Sequence, residues 1–188
     1  MPTVPEGTED SPFKRFAAAV RAVSRAVDDA EGGPLTRGDV ASLRREDGAR
    51  SPVFYKLASM MLRDVLPRGG EAQLSEAERR WARVVHLLAR TAGQHVVRGP
   101  KFGAALADAG LAEARFVRLL RAEGDAIDPA SRAAIAPLVQ QALSFDALDL
   151  AALIVSAPHP TFRFHLEDGD DVRRRVARDF YRVRATQD

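Results

Sequence analysis

The stretch GLAEARFVRLLRAEG, residues 110–124, carries an arginine at every third position from residue 115 to residue 121, with apolar side chains between them. Steps of three and four residues fall on one face of an α-helix, so Arg115, Arg118 and Arg121 share one side. At about 100° per residue, the other side holds Phe116, Val117 and Leu120. The stretch therefore predicts an amphipathic helix that buries its apolar side and leaves an arginine face to be explained.

Helix-start signals recur along the rest of the chain. Ser11 and Ser51 each precede a proline, which is typical of an N-cap followed by the first helical residue. Leu35 and Val40 occupy the two positions of a hydrophobic staple around a further helix start. Capping boxes are predicted at two starts, namely Thr36 with Asp39 and Ser75 with Glu78.

Apolar residues follow these signals at helical spacing, and a helix is also expected over FDALDLAALIV, residues 145–155. No segment alternates with a period of two for long enough to predict a strand. The sequence therefore predicts an all-α protein, a compact bundle of about eight or nine helices. Residues 1–10 are expected to form a flexible tail, and residues 11–188 a single all-helical domain, with two packed helical lobes as the alternative.

The chain lacks cysteine, and its acidic N-terminal stretch has no apolar run of the kind found in a signal peptide. No stretch reaches the apolar length that a membrane span needs. We therefore expect a soluble cytoplasmic protein without membrane contact.

Positive charge is concentrated in two segments, although the whole chain carries a net charge of only +2. Residues 79–121 hold nine basic and two acidic residues, a net +7, and residues 173–184 hold six arginines and one aspartate, a net +5. Such clusters favour a polyanionic partner. There is no zinc-finger or RNA-recognition signature and little exposed aromatic surface is expected, so any nucleic-acid contact should be sequence-independent and made to the backbone.

Catalytic and metal-binding patterns are missing from the sequence. The histidines are His86, His95, His159 and His165, and none of them forms a familiar metal-ligand pair. The segment GGPLTRGD lacks the lysine of a phosphate-binding loop. No residue pair resembles a catalytic nucleophile with its general base. We therefore expect no enzyme activity, no catalytic residue, no metal and no cofactor.

Each arginine taken alone is best interpreted as part of a solvated face with weak surface salt bridges. The arginines taken together favour binding, because positive charge greatly exceeds negative charge on these faces. The main alternative is a helical protein-interaction adaptor whose basic faces meet acidic protein surfaces. A small helical transcription regulator and an unrecognised hydrolase are the remaining alternatives.

Several phrases in a fixed order resemble one known family. They are GDVASLRRE (38–46), SPVFYKLASMML (51–62), WARVVHLLA (81–89), KFGAALADAGLAEARFVRLLRAEGD (101–125) and VRRRVARDFYRV (172–183). Together they resemble CasB, the small subunit of the type I-E CRISPR surveillance complex Cascade, over roughly residues 12–184. The most specific phrase is G-x-A-L-A-x-A-G-x-x-E-x-R-F-x-R-L-L, residues 103–120.

The resemblance implies a compact, all-α, non-catalytic protein without metal that serves in antiviral defence. It implies two copies packed head to tail beside the other Cascade subunits, with basic residues that hold crRNA paired to target DNA and the displaced DNA strand.

By position, Arg44 and Arg45 match paired arginines of the family, and the family often has arginine where this chain has Val40. One of Arg115 and Arg118 is a candidate for a structural role through an acidic partner. Combining charge and resemblance, the candidate nucleic-acid-binding residues are Arg44, Arg45, Arg98, Lys101, Arg115, Arg118, Arg121, Arg174 and Arg178.

Overall fold

The computed structural model describes residues 11–29, 32–45, 51–96, 99–156 and 169–187. Over these residues the prediction of an all-α protein is confirmed. The helices are α1 (Pro12–Asp28), α2 (Arg37–Arg45), α3 (Pro52–Leu57), α4 (Glu71–Arg90), α5 (Phe102–Asp108), α6 (Glu113–Arg121), α7 (Ile127–Gln140), α8 (Ala147–Val155) and α9 (Gly169–Gln187). A π-helical segment, Ala58–Leu62, continues α3, and a 3₁₀ turn, Gly124–Ala126, precedes α7.

Two of the predicted helix starts are confirmed by their hydrogen bonds. The Ser11 hydroxyl accepts a hydrogen bond from the Lys14 amide at 3.3 Å, which caps α1. The Thr36 hydroxyl accepts from the Asp39 amide at 3.1 Å, and the Asp39 carboxylate accepts from the Thr36 amide at 2.9 Å. That last bond lowers the pKa of Asp39. Leu35 and Val40 are both buried, as the staple requires.

The capping box predicted at Ser75 with Glu78 is wrong. Helix α4 begins four residues earlier, at Glu71, with Gly70 in the N-cap position, so Ser75 lies in its second turn. The hydrogen bonds from the Gln73 and Leu74 amides to the Gly70 carbonyl set this earlier start. A local capping pattern does not reveal that the backbone has already become helical upstream.

The expectation of no strand needs a small correction. Strand β1 (His95–Val96) pairs in parallel with β2 (Phe145–Asp146). Helix α8 therefore starts at Ala147 and not at residue 145, since the Asp146 carboxylate caps it by accepting from the Leu148 amide at 2.9 Å. The amides of Phe145 and Asp146 donate instead to the carbonyls of Gln94 and Pro100, at 3.1 and 2.7 Å.

The core runs through the described elements as one continuous hydrophobic cluster. Helix α4 packs against α1, α2 and α8, and its Trp81 ring lies 5.5 Å from the Phe16 ring of α1. Helix α5 crosses α9 closely at Gly103. Helix α8 packs against both α4 and α9 and so joins the N-terminal helices to α9.

A buried ion pair within α4 places an arginine that also contacts α8. Arg80 is only 3% exposed, and its Nε lies 2.8 Å from Oε1 of Glu76, which is also buried. The same guanidinium donates from Nη1 to the Val155 carbonyl at 2.8 Å. Burial lowers the pKa of Arg80, and the hydrogen bond that its guanidinium donates to Glu76 opposes that shift. The pair therefore anchors the C-terminal end of α8 to the centre of the bundle.

Candidate nucleic-acid interface

Helix α6 is held to the core by its apolar side. Phe116 and Leu119 are fully buried, while Val117 and Leu120 are half-buried at the edges. The sequence prediction left Leu119 out of the apolar side, although it lies near the centre of the buried surface. The Phe116 ring stacks on Phe180 of α9, with centroids 3.8 Å apart and planes 8° apart. This stacked pair fixes the rotation of α6 and so decides which side chains face outward.

Helix α9 also holds α6 at both of its ends. The Tyr181 hydroxyl donates to Oε1 of Glu113 at 2.9 Å, at the start of α6. Arg173 donates from Nη2 to the Ala122 carbonyl at 3.1 Å, just after α6 ends. These contacts show that the two helices run antiparallel. The outward face of α6 is therefore presented on a fixed support.

Arg115, Arg118 and Arg121 are all exposed on that outward face. Within the part of the chain that the structure describes, none of their guanidinium groups has a hydrogen bond or an ion pair. The acidic partner considered for Arg115 or Arg118 is thus not found among those residues. Like charges three residues apart on a helix repel one another. The face therefore carries positive charge that an external anion would neutralise.

Most other basic residues of the segment 79–121 already have partners. Arg79 and Arg80 pair with Glu76, Arg83 pairs with Asp125 at 2.9 Å, and Lys101 lies 3.7 Å from Asp146. The acidic partners are all outside the segment, so counting charges along the sequence overstated its field. Among the described residues of this segment, the basic side chains without an acidic partner lie mainly on α6.

Lys101 stands at the start of α5, above a buried carboxylate. Asp146 is buried between β2 and α8, and burial raises its pKa, which Lys101 partly opposes. The neighbouring Asp149 accepts a hydrogen bond from the Phe102 amide at 3.4 Å and lies 3.5 Å from Arg175 Nε. Lys101 therefore faces a charge of its own chain, unlike the arginines of α6.

Arg44 and Arg45 lie at the end of α2, where it packs on α4. Arg44 donates from Nε to the Ala89 carbonyl at 2.7 Å, and Arg45 donates from Nε to Ala41 within its own helix at 3.2 Å. A carbonyl in the last turn of α4 attracts a cation. Val40, which replaces the arginine often found in the family, is buried in the staple.

His86 joins the same contact between α4 and α2 from the inside. The ring is buried, and Nδ1 lies 2.8 Å from the Leu43 carbonyl, to which it donates. Nε2 is buried without a hydrogen-bond partner among the described residues. Burial is the main cause that lowers the pKa of His86.

We expect this buried histidine to make the protein less stable in mild acid. Since the folded state has the lower pKa, the unfolded chain binds more protons below about pH 6.5. The free energy of unfolding should then fall by up to about 1.4 kcal/mol per pH unit, relative to His86→Gln. Urea unfolding of both proteins at several pH values measures the difference. Parallel pH profiles for the two proteins would contradict the expectation.

The remaining candidates lie on α9 and beyond the described residues. Arg174 pairs with Asp171 at 2.7 Å, whereas Arg178 is exposed and has no partner among the described residues. Arg178 precedes Tyr181 by three residues, so the two lie one turn apart on one side of α9. Arg98 lies outside the described residues. The candidates are thus divided among α2, the start of α5, α6 and α9.

The expectation of little exposed aromatic surface is wrong for three described residues. Tyr181 is 42% exposed, Tyr55 49% and Phe13 43%. For Tyr181 the sequence did contain a signal. It lies about 100° round the helix from Phe180, the last fully buried residue of the α9 stripe, which places it at the edge of the buried side.

Metal and membrane sites are absent from the described part of the chain. No group of three His, Asp or Glu side chains there is arranged to hold a metal ion. None of the helices in that part has the length and apolar character to cross a membrane. His159 and His165 lie outside the described residues.

The chain matches the model of a known protein family. The family model for CRISPR-associated protein Cse2 matches residues 39–181, which is 143 of the 188 residues and includes all of α6. Neither the curated proteins nor the solved structures compared with the chain gave a match. The chain therefore belongs to the Cse2 (CasB) family, whose members are non-catalytic subunits of the type I-E Cascade complex in CRISPR defence.

Proposed function

We propose that the α6 arginine face (Arg115, Arg118 and Arg121) binds nucleic-acid phosphates without reading their sequence. In the assembled complex these contacts stabilise the crRNA–target heteroduplex and the displaced DNA strand. The observation that carries the proposal is that three adjacent exposed arginines have no acidic partner among the described residues. Most of the other basic residues around them are paired within the chain.

The geometry of the face suits a phosphate backbone. With a rise of about 1.5 Å per residue, the three Cα atoms span about 9 Å along the helix. Guanidinium groups bind phosphate oxygens through charge-assisted hydrogen bonds. In an RNA-guided complex, base pairing with the guide reads the sequence, so the protein needs only backbone contacts. Arg178 adds a further charge on α9 that has no partner among the described residues.

The other candidates take a secondary place in this proposal. Arg44, Lys101 and Arg174 would have to exchange an internal contact for a phosphate. Contacts with a second copy of the chain and with other Cascade subunits complete the set of partners that we propose.

Fluorescence anisotropy with a labelled single strand tests the arginine face. We expect a dissociation constant of about 10⁻⁴ to 10⁻⁶ M that is the same for two unrelated sequences and weakens steeply with salt. The slope of log K against log salt should be about −0.7 per phosphate neutralised. The triple variant Arg115→Ala, Arg118→Ala, Arg121→Ala should reduce that slope by about 2.

A matched control removes three arginines that are exposed but paired. Arg79, Arg132 and Arg182 each contact a carboxylate within their own helix. Replacing these three by alanine lowers the net charge equally and should change the slope by less than about 1. Equal effects of both variants would mean that only total charge matters. Binding that is insensitive to salt, or confined to acidic proteins, would instead favour the adaptor.

A further inference from the structure

We propose that Tyr181 is a stacking platform for an unpaired base, so that the surface formed by α6 and α9 prefers single-stranded nucleic acid. The inference rests on the proposed function, because the arginines must hold the strand that presents the base. It adds a contact that phosphate binding alone does not provide. A tyrosine ring accepts any base, so the site remains sequence-tolerant.

The ring of Tyr181 has an uncovered face. It stands nearly perpendicular to Phe180 and Phe116, at 89° and 83°, with centroids 5.4 and 5.9 Å away. Those two rings stack on each other at 3.8 Å, so both lie beside the tyrosine on the same side. Neither covers the opposite face, which agrees with the 42% exposure of the residue.

The ring is also held in a fixed orientation. Its hydroxyl donates to Oε1 of Glu113 at 2.9 Å, while the buried phenylalanine pair packs against one side of the ring. The bond to Glu113 raises the pKa of Tyr181 above its ordinary value of about 10, which already keeps the phenol neutral near pH 7. A side chain already ordered in this way loses little conformational freedom when a base stacks on it.

The surrounding charges direct a strand to the ring. Arg178 lies one turn before Tyr181 on α9, and Glu113 begins the helix that carries the arginine face. A base stacked on Tyr181 therefore leaves its phosphates near Arg178, which has no partner among the described residues, while the Glu113 carboxylate is engaged by the tyrosine hydroxyl. Bases inside a duplex have no free face, so only an unpaired nucleotide can use the platform.

Binding of a strand that contains 2-aminopurine tests the platform in the full-length chain. Stacking of the fluorescent base on Tyr181 should quench its emission at low salt. Tyr181→Leu should abolish the quenching and weaken binding by about fivefold or more, without changing the salt slope. Tyr181→Phe keeps the ring and should keep both signals. Tyr55→Leu removes the other exposed tyrosine, on α3, and should behave as the wild type.

An abasic strand provides a test that does not depend on any variant folding correctly. Wild-type protein should bind it about fivefold more weakly than the intact strand, with the same salt slope. Equal binding of the two strands, or unchanged quenching with Tyr181→Leu, would contradict base stacking on Tyr181. Neither result would contradict phosphate binding by the arginine face. No salt-dependent binding of any strand would mean that the proposed function fails, and the platform fails with it.

Discussion

Replacing Gly103 with alanine is expected to lower the free energy of unfolding by about 2–3 kcal/mol. A Cβ added there would lie 3.0 Å from the Val176 carbonyl carbon and 3.1 Å from the Phe180 amide nitrogen, and closer still to the Val176 carbonyl oxygen. These are backbone atoms of α9, so no side chain can rotate away. The helix propensity gained by alanine is at most about 1 kcal/mol and does not compensate.

Urea unfolding measures this loss, and Gly38→Ala is the matched control. Gly38 lies in the first turn of α2, where a Cβ would meet only the Thr36 hydroxyl oxygen at 3.6 Å. That variant should be neutral, or more stable by up to about 1 kcal/mol. If Gly103→Ala were as stable as Gly38→Ala, then α5 and α9 would not be as close as described here.

Glu76→Ala should have a comparable or larger effect, a loss of about 3–5 kcal/mol. The substitution removes the carboxylate that pairs with the buried Arg80 guanidinium. Arg80 keeps its bond to the Val155 carbonyl, but it loses the carboxylate whose hydrogen bond and charge favour its protonated form. Thermal and urea unfolding of the variant give the size of the loss.

The double variant Glu76→Leu, Arg80→Met separates the charge effect from lost packing. It removes both charges and fills the space with apolar groups, so it should be more stable than Glu76→Ala. A double variant at least as unstable as Glu76→Ala would show that the loss of side-chain contacts, and not the loss of the opposing charge, causes the destabilisation. Arg79→Ala is a useful reference, because its guanidinium pairs with the same carboxylate at the surface.

Much of the fold could be predicted because its signals are local. The capping box of α2 involves residues three apart, and its staple residues lie directly beside it. The start of α4 was missed because Glu71 to Leu74 is helical without a side-chain cap. The pairing of β1 with β2 joins residues fifty positions apart, and each strand has only two residues. No periodic pattern exists in so short a segment.

The candidate site was predictable in part for the same reason. The helical spacing of Arg115, Arg118 and Arg121 shows that they share a face. Which basic residues remain bare depends on tertiary contacts, such as the one between Arg83 and Asp125 across forty-two positions. The role proposed for Tyr181 depends on Glu113, which belongs to a helix far away in sequence. Neither contact can be predicted from the composition of the sequence around it.

The packing of α9 over α5 and α6 also has a consequence for biosynthesis. The sides of α5 and α6 that face α9, including Phe116, leave the ribosome about fifty to eighty residues before the helix that covers them. At about 5–20 residues per second, that interval lasts several seconds. During it the nascent chain exposes aromatic surface that α9 later buries. We therefore expect α5 and α6 to complete their packing only after α9 has been synthesised. Until then, the exposed apolar surface of the nascent chain can bind chaperones.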